Sequence, residues 1–221
     1  MAQEYLSTLL QTGKYQADKQ LLLKERVFIT FDSLLRYAGL GGLKPGQKLL
    51  DLGSADGALV VVSRRRGLDA HGLDVADNVD FESDRLPHGD GVFDVVTAVS
   101  LIEHLRSPTC MLREALRVLK PGGVLILVTP NWRFSYKRFF DDPTHVHPYS
   151  DTSIGFLLRS VGFGKILVVP WLVCKPSWLW SVPLTFHIAR MLPFRWSESK
   201  MIPNVLMGKS KSILALAVKP A

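Results

Sequence analysis

Apolar and polar positions along the chain follow two periods. Over residues 16–38, Leu21, Leu22, Val27, Phe28, Phe31, Leu34, Leu35 and Ala38 approximate helical spacing, and Gly39, Gly41 and Gly42 break it. A leading helix that caps or packs on the core is expected there. Lys48 to Leu52 is a short apolar run, and Ala58 to Arg66 reads as a helix closed by Gly67. Ala70 to Asp74 reads as a second strand, Val92 to Val99 as a buried one, and Pro108 to Leu119 as an amphipathic helix. Val124 to Val128 follows Pro121-Gly122-Gly123 as another buried strand. Asp151 to Ser160 is then expected to be helical, with Lys165 to Val169 and Ser212 to Lys219 as strands.

Alternating strands and helices predict an α/β fold with a mostly parallel sheet covered on both faces. One stretch resists the alternation. About twenty residues lie between Asp74 and Phe93, too few for two crossovers when each needs roughly 10–12 or more. No full helix fits there, so Asn78 to Glu82 is expected to be a short edge strand on a loop, or no strand.

The chain has 221 residues, 47% of them apolar, which suits one sizeable core. The expected organisation is an N-terminal helical cap over 1–44 and an α/β domain over 45–221. Cys110 and Cys174 have no partner at a metal-binding spacing and are too few for a disulfide framework. With no signal-peptide pattern over Met1 to Tyr15, a cytoplasmic location is expected.

Charge is unevenly spread: residues 1–158 carry 18 Lys/Arg against 19 Asp/Glu, and residues 159–221 carry 9 against one acid, Glu198. Such a field attracts anions of several kinds. Nucleic acid is disfavoured, because the basic residues are scattered and no nucleic-acid-binding motif accompanies them. Within 170–210, Trp171, Trp178, Trp180 and Trp196 interleave with Lys175, Arg190, Arg195, Pro176, Pro183 and Pro193. The interruptions exclude a membrane span. A lid over a pocket, a contact with a second copy of the chain, and an element over 171–196 lying on anionic lipid are the readings this composition leaves open.

The chemistry begins at Leu49-Leu50-Asp51-Leu52-Gly53-Ser54-Ala55-Asp56-Gly57. A buried strand ends there in an acid and a glycine turn, which puts free backbone amides and a helix N-terminus beside a ligand. Asp51 and Asp56 place negative charge where a dinucleotide's phosphates would sit, so a cationic, phosphate-free cofactor suits the turn better. Asp74 closes the second strand where an acid can accept both ribose hydroxyls; capping a turn is its competing role.

Asp51 to Gly57, Leu73-Asp74, Arg85-Leu86-Pro87, Val92-Phe93-Asp94-Val95-Val96, Ile102-Glu103-His104-Leu105 and Arg117-Val118-Leu119-Lys120-Pro121-Gly122-Gly123 occur in this order. In that order they resemble the class I S-adenosylmethionine-dependent methyltransferases, and most nearly the group containing ubiquinone-type O-methyltransferases and polysaccharide-pathway methyltransferases. The resemblance covers roughly residues 45–170. It implies a Rossmann-like fold with an antiparallel C-terminal strand, and S-adenosyl-L-methionine as cofactor. By the same resemblance Asp51, Gly53, Ser54, Ala55 and Gly57 hold its methionine part and Asp74, with Val75, its ribose. Asp84, Arg85 and Leu86 border the adenine, and Ser100 and Leu101 floor the pocket. Ala55 departs from the family's usual middle glycine.

Glu103 and His104 follow a buried strand, at the sheet edge where open α/β folds bind ligands. Some relatives complete a divalent-metal site with an acid three residues before such a pair. That position is Ser100 here, so a metal at Glu103 and His104 would need ligands from elsewhere, and the reading adopted has none. In Phe140 to Tyr149, His145 and His147 would share one side of an extended segment. A histidine suits removal of a proton from a sugar or phenolic hydroxyl near neutral pH. His145 is the first choice of base, His147 the second, with His104 beside them; the competing role for the loop pair is to fix the entrance of the helix near Asp151. The expected activity is methylation of a hydroxyl on a small molecule or glycan, a lipid-linked saccharide included. A non-catalytic cofactor-binding or partner-binding protein, and a nicotinamide-dependent oxidoreductase, are the alternatives.

Overall fold

The computed structural model describes residues 17–171, 194–195, 207–209 and 211–221. Helix α1 spans Ala17–Tyr37. Strand β1 (Lys48–Leu52) is followed by α2 (Ala58–Arg65) and β2 (Asp69–Leu73). Then come β3 (Phe93–Val99), α3 (Thr109–Val118), β4 (Leu119–Pro130) and the short α4 (Trp132–Ser135). Helix α5 (Asp151–Val161) and β5 (Gly164–Trp171) precede a separate parallel pair, β6 (Phe194–Arg195) and β7 (Met207–Lys209), and β8 (Ser212–Val218).

The main sheet has the order β2-β1-β3-β4-β8-β5. Its first four strands are mutually parallel, whereas β8 runs antiparallel to both β4 and β5. The alternation of elements predicts the mostly parallel, covered sheet, and the Rossmann-like order with its antiparallel C-terminal strand is the one that the resemblance implies.

Side-chain alternation along each strand sends the core to two sides. Leu49, Val95, Val124, Ile126, Val128, Leu214 and Leu216 join Phe28, Phe31 and Leu34 of α1 and Leu59 and Val62 of α2. Leu50, Leu52, Val96, Ala98, Leu125, Leu127, Ala215 and Ala217 join Met111, Leu112 and Ala115 of α3 and Ile154 and Leu158 of α5. Both faces are therefore covered, as a parallel sheet requires. Trp171 is buried, with its ring 5.9 Å from that of Phe31. The rest of the tryptophan-rich stretch proposed as a lid, dimer contact or lipid-facing element falls mostly outside the described residues.

Between β2 and β3 there is no strand. Val75–Asp77 forms one 3-10 turn, and the loop then drops Val79, Phe81 and Leu86 into the core instead of pairing with the sheet. Its apolar side chains replace a crossover helix on that edge. Strand β4 also begins earlier than the apolar run suggests: Leu119 already pairs with Phe93 before the Pro121–Gly123 excursion.

Candidate active site

Three strand ends meet at the carboxyl edge. After β1 the chain turns through Gly53, Ala55 and Gly57, all at positive φ (70°, 48° and 69°). A Cβ on Gly53 would lie 3.1 Å from Cδ1 of Leu101, so the absence of a side chain lets the turn settle on the residue that follows β3. The N–H groups of Gly53 and Ser54 both donate to the Leu73 carbonyl at 2.8 and 3.1 Å. The Ala55 N–H donates to Oδ2 of Asp74 at 2.9 Å. Asp74 therefore holds the turn, the competing role that the sequence left open for it. Its own N–H donates to Asp77 Oδ2 at 2.9 Å, which fixes Val75 and the 3-10 turn.

Asp51 is buried within β1, opposite Thr97 of β3, whose hydroxyl donates to its Oδ1 at 2.7 Å. Burial pushes its pKa up to about 6, with the Thr97 hydrogen bond and Lys24 of α1 pulling the other way. Asp56 is exposed and accepts the Ala58 N–H at 3.0 Å.

The residues expected around adenine are placed differently from one another. Leu86 is buried in the core, and its N–H donates to Glu114 Oε2 at 2.8 Å. Arg85 reaches Asp90 at 3.3 Å, and Asp84 accepts the Asp80 N–H at 2.9 Å. Ser100 stands at positive φ (55°) and donates its N–H to Val128, which turns the chain sharply as it leaves β3.

A second constellation lies just beyond. Glu103 is wholly buried in a 3-10 turn over Ile102–His104. Thr129 of β4 donates to its Oε2 at 3.0 Å, and Oε1 has no hydrogen-bond partner among the described residues. Burial pushes its pKa up to about 7, against its own backbone N–H and the Thr129 hydroxyl. The segment Phe139 to Tyr149 returns over this turn, because the N–H groups of Val146 and His147 both donate to the Glu103 carbonyl at 2.9 and 3.0 Å.

That return brings His145 against His104, with ring centroids 4.8 Å apart. His145 and His147 do not share a side. The segment is not extended: two successive N–H groups on one carbonyl require a bend, and His147 instead stacks on Tyr149 with ring centroids 4.7 Å apart. Nor does either histidine cap α5, whose entrance is closed by reciprocal Ser150 and Ser153 hydrogen bonds. His104 has its pKa lowered, first by burial and then by His145.

A family model described as a methyltransferase domain matches residues 22–168. The chain belongs to the class I S-adenosylmethionine-dependent methyltransferase family. It is 32% identical to a ubiquinone biosynthesis O-methyltransferase of Xanthomonas oryzae over 39% of this chain and 44% of that protein. The like-named protein of Psychrobacter arcticus is 30% identical over 39% and 42%. The chain thus spans under half the length of these curated relatives. Among solved structures, a SAM-dependent methyltransferase of Thermotoga maritima aligns with a TM-score of 0.56 at 19% identity, covering 99% of this chain and 100% of that one. Another from Archaeoglobus fulgidus aligns with a TM-score of 0.57 at 17% identity, covering 88% and 94%. At such identities these likenesses speak for the fold.

For this family member, three site-supporting residues stand outside the motifs: Thr97, Thr129 and Lys24. The two threonines sit in apolar strands as buried hydroxyls, a residue type that needs a partner in a core. That is the signal by which they could be found, but the partner's identity depends on sheet register.

Proposed function

We propose that the protein transfers a methyl group from S-adenosyl-L-methionine to a hydroxyl of a small molecule or glycan. The observation that carries this reading is the adjacency of an acid-lined, phosphate-unfriendly turn to a cluster of proton acceptors, Leu101 underlying Gly53 and Glu103 following two residues later.

The donor set fits the cofactor. Asp51 and Asp74 offer carboxylates to a cationic amino group and to ribose hydroxyls, and the turn needs to neutralise no phosphate. When bound, the cofactor supplies a methyl group on positively charged sulfur, which departs as a neutral thioether. The chain's part is to align the acceptor oxygen and take its proton.

In this reading Nε2 of His145 takes that proton. Its Nδ1 lies 2.7 Å from the Phe139 carbonyl, which only accepts, so the ring proton is on Nδ1 and Nε2 keeps its lone pair. His104 is second in line, and His147, stacked on Tyr149, third.

The test is calorimetry with S-adenosylmethionine, S-adenosylhomocysteine and NAD, followed by a screen of phenols and sugars for methyl transfer. Binding of the first two and not NAD, with a methylated hydroxyl as product, supports the reading. NAD binding alone would favour an oxidoreductase, and cofactor binding without transfer to any acceptor would favour a non-catalytic role.

A further inference from the structure

We propose that Glu114 and Arg117 of α3 are positioning residues for the adenine end of the cofactor, acting through the loop between β2 and β3. That loop pairs with no strand among the described residues, yet it carries Asp84, Arg85 and Leu86, the residues expected beside adenine.

Its fixation comes from α3 instead. Glu114 and Arg117 stand three residues apart on one face of the helix. They grip each other as a fork, Arg117 Nε donating to Glu114 Oε1 at 2.8 Å and Nη2 to Oε2 at 2.6 Å. Arg117 holds the Glu114 carboxyl below its ordinary range, so the fork is ionised at neutral pH. The pair straddles Leu86, whose N–H donates to Glu114 Oε2 at 2.8 Å and whose carbonyl accepts from Arg117 Nη2 at 3.1 Å. Arg117 Nη1 donates to the His88 carbonyl at 2.8 Å and to Asp90 Oδ1 at 2.6 Å. A guanidinium has five N–H donors, and all of them are engaged here, on Glu114 or on the loop. Before Asp84, Glu82 accepts the N–H groups of Arg106 and Ser107 at 2.9 and 3.3 Å. Asp84 and Arg85 are thus pinned on both sides while their own side chains stay exposed.

Such a clamp exceeds what packing needs. Val79, Phe81 and Leu86 already bury the apolar side chains of the loop. A loop held by both the N–H and the carbonyl of Leu86 is instead ordered before a ligand arrives, which lowers the entropy cost of binding and fixes the polar groups that face a base edge. Fixed groups tell adenine, whose 6-amino group donates, from hypoxanthine, whose 6-oxo group accepts. The inference concerns the cofactor and goes beyond the proposed methyl transfer, because it does not depend on which acceptor is methylated.

The experiment is calorimetric titration of the full chain with S-adenosylhomocysteine and its deaminated analogue S-inosylhomocysteine, read as the ratio of the two affinities. The unaltered protein is expected to favour the adenine compound by about tenfold or more. Arg117→Lys keeps the charge but loses the fork, so it should weaken S-adenosylhomocysteine by about tenfold and bring the ratio toward one. Glu114→Gln should act in the same direction and to a smaller extent, and it decides on the same ratio should Arg117→Lys fail to fold. Lys120→Met breaks the ion pair with Asp94 without touching the loop, so the ratio should stay that of the unaltered protein. A purely structural loss moves the melting temperature and both affinities together and leaves the ratio alone. Folded Arg117 and Glu114 variants that keep the ratio, or an unaltered protein without a preference, overturn the proposal. Neither compound carries a transferable methyl group, so the two readings fail separately: an unchanged ratio in an active enzyme removes this inference alone, and a falling ratio in a protein that methylates no acceptor removes the proposed methyl transfer alone.

Discussion

The glycine turn and the Glu103–His104–His145 cluster sit on the same sheet edge but are built in opposite ways. The turn is contiguous: seven residues, Asp51 to Gly57, carry its acids and its backbone, and Asp74 ties it down through one hydrogen bond. The cluster is assembled from β3's exit and a loop some forty residues later, joined by two N–H groups on one carbonyl. The first presents backbone amides and carboxylates side by side; the second gathers buried proton acceptors from two distant segments. In the proposed reading the turn binds the cofactor and the cluster takes the proton, so substitutions should separate the two.

The largest effect is expected at the cluster. His145→Ala should lower kcat for methyl transfer by about 10²–10⁴-fold, the usual worth of a general base, while cofactor Kd stays within about twofold. Single-turnover kinetics and calorimetry on the same preparation check both halves. If the two constants move together, the regions are not separable.

Asp74→Ala should do the reverse and weaken cofactor binding by about a hundredfold, because one charged hydrogen-bonding group and the turn's tether are lost together. Asp74→Asn retains an oxygen for the Ala55 N–H, so it should keep the native melting temperature while still losing affinity. An alanine variant that binds normally would reduce Asp74 to a structural tie.

Much of the first region was legible from residue order, because a strand, a turn and an acid closing the next strand are local features. The cluster was only half legible. Glu103, His104 and His145 stand out as residue types, yet their convergence depends on how Phe139 to Tyr149 folds back, and the expectation of an extended segment paired His145 with the wrong neighbour. Thr97 and Thr129 could not be assigned to Asp51 and Glu103 before the register of β3 against β1, and the course of β4, were known. The absence of a crossover helix after β2 was readable from length alone. That Val79, Phe81 and Leu86 fill its place was not.

A smaller effect concerns pH. Asp51 is held up to about 6 in the fold, so between its ordinary value and 6 the folded protein carries a proton that the unfolded chain lacks. A cationic amino group prefers the ionised form, so the proton competes with cofactor below pH 6. Affinity should be about tenfold weaker at pH 5 than at pH 7, and Asp51→Asn should flatten that dependence. Calorimetry in buffers of different ionisation enthalpy would reveal proton release on binding near pH 6.

The smallest effect belongs to Ala55, held at φ 48° in the left-handed region. Glycine would relieve roughly 1 kcal/mol of that strain but lose about 0.5–1 kcal/mol to the entropy of the unfolded chain. Ala55→Gly should therefore change stability by under about 1 kcal/mol in denaturant melts, and leave kcat untouched.

The position of β8 bears on how the molecule is assembled. Strand β5 touches the main sheet only through β8, and β8 in turn closes the open edge of β4. Until Ser212–Val218 threads between them, a growing chain carries a finished glycine turn but two bare strand edges, rich in valine and leucine and ready to pair with a neighbour. The completed turn and resistance to aggregation thus arrive at different moments of synthesis, separated by everything between Trp171 and Ser212.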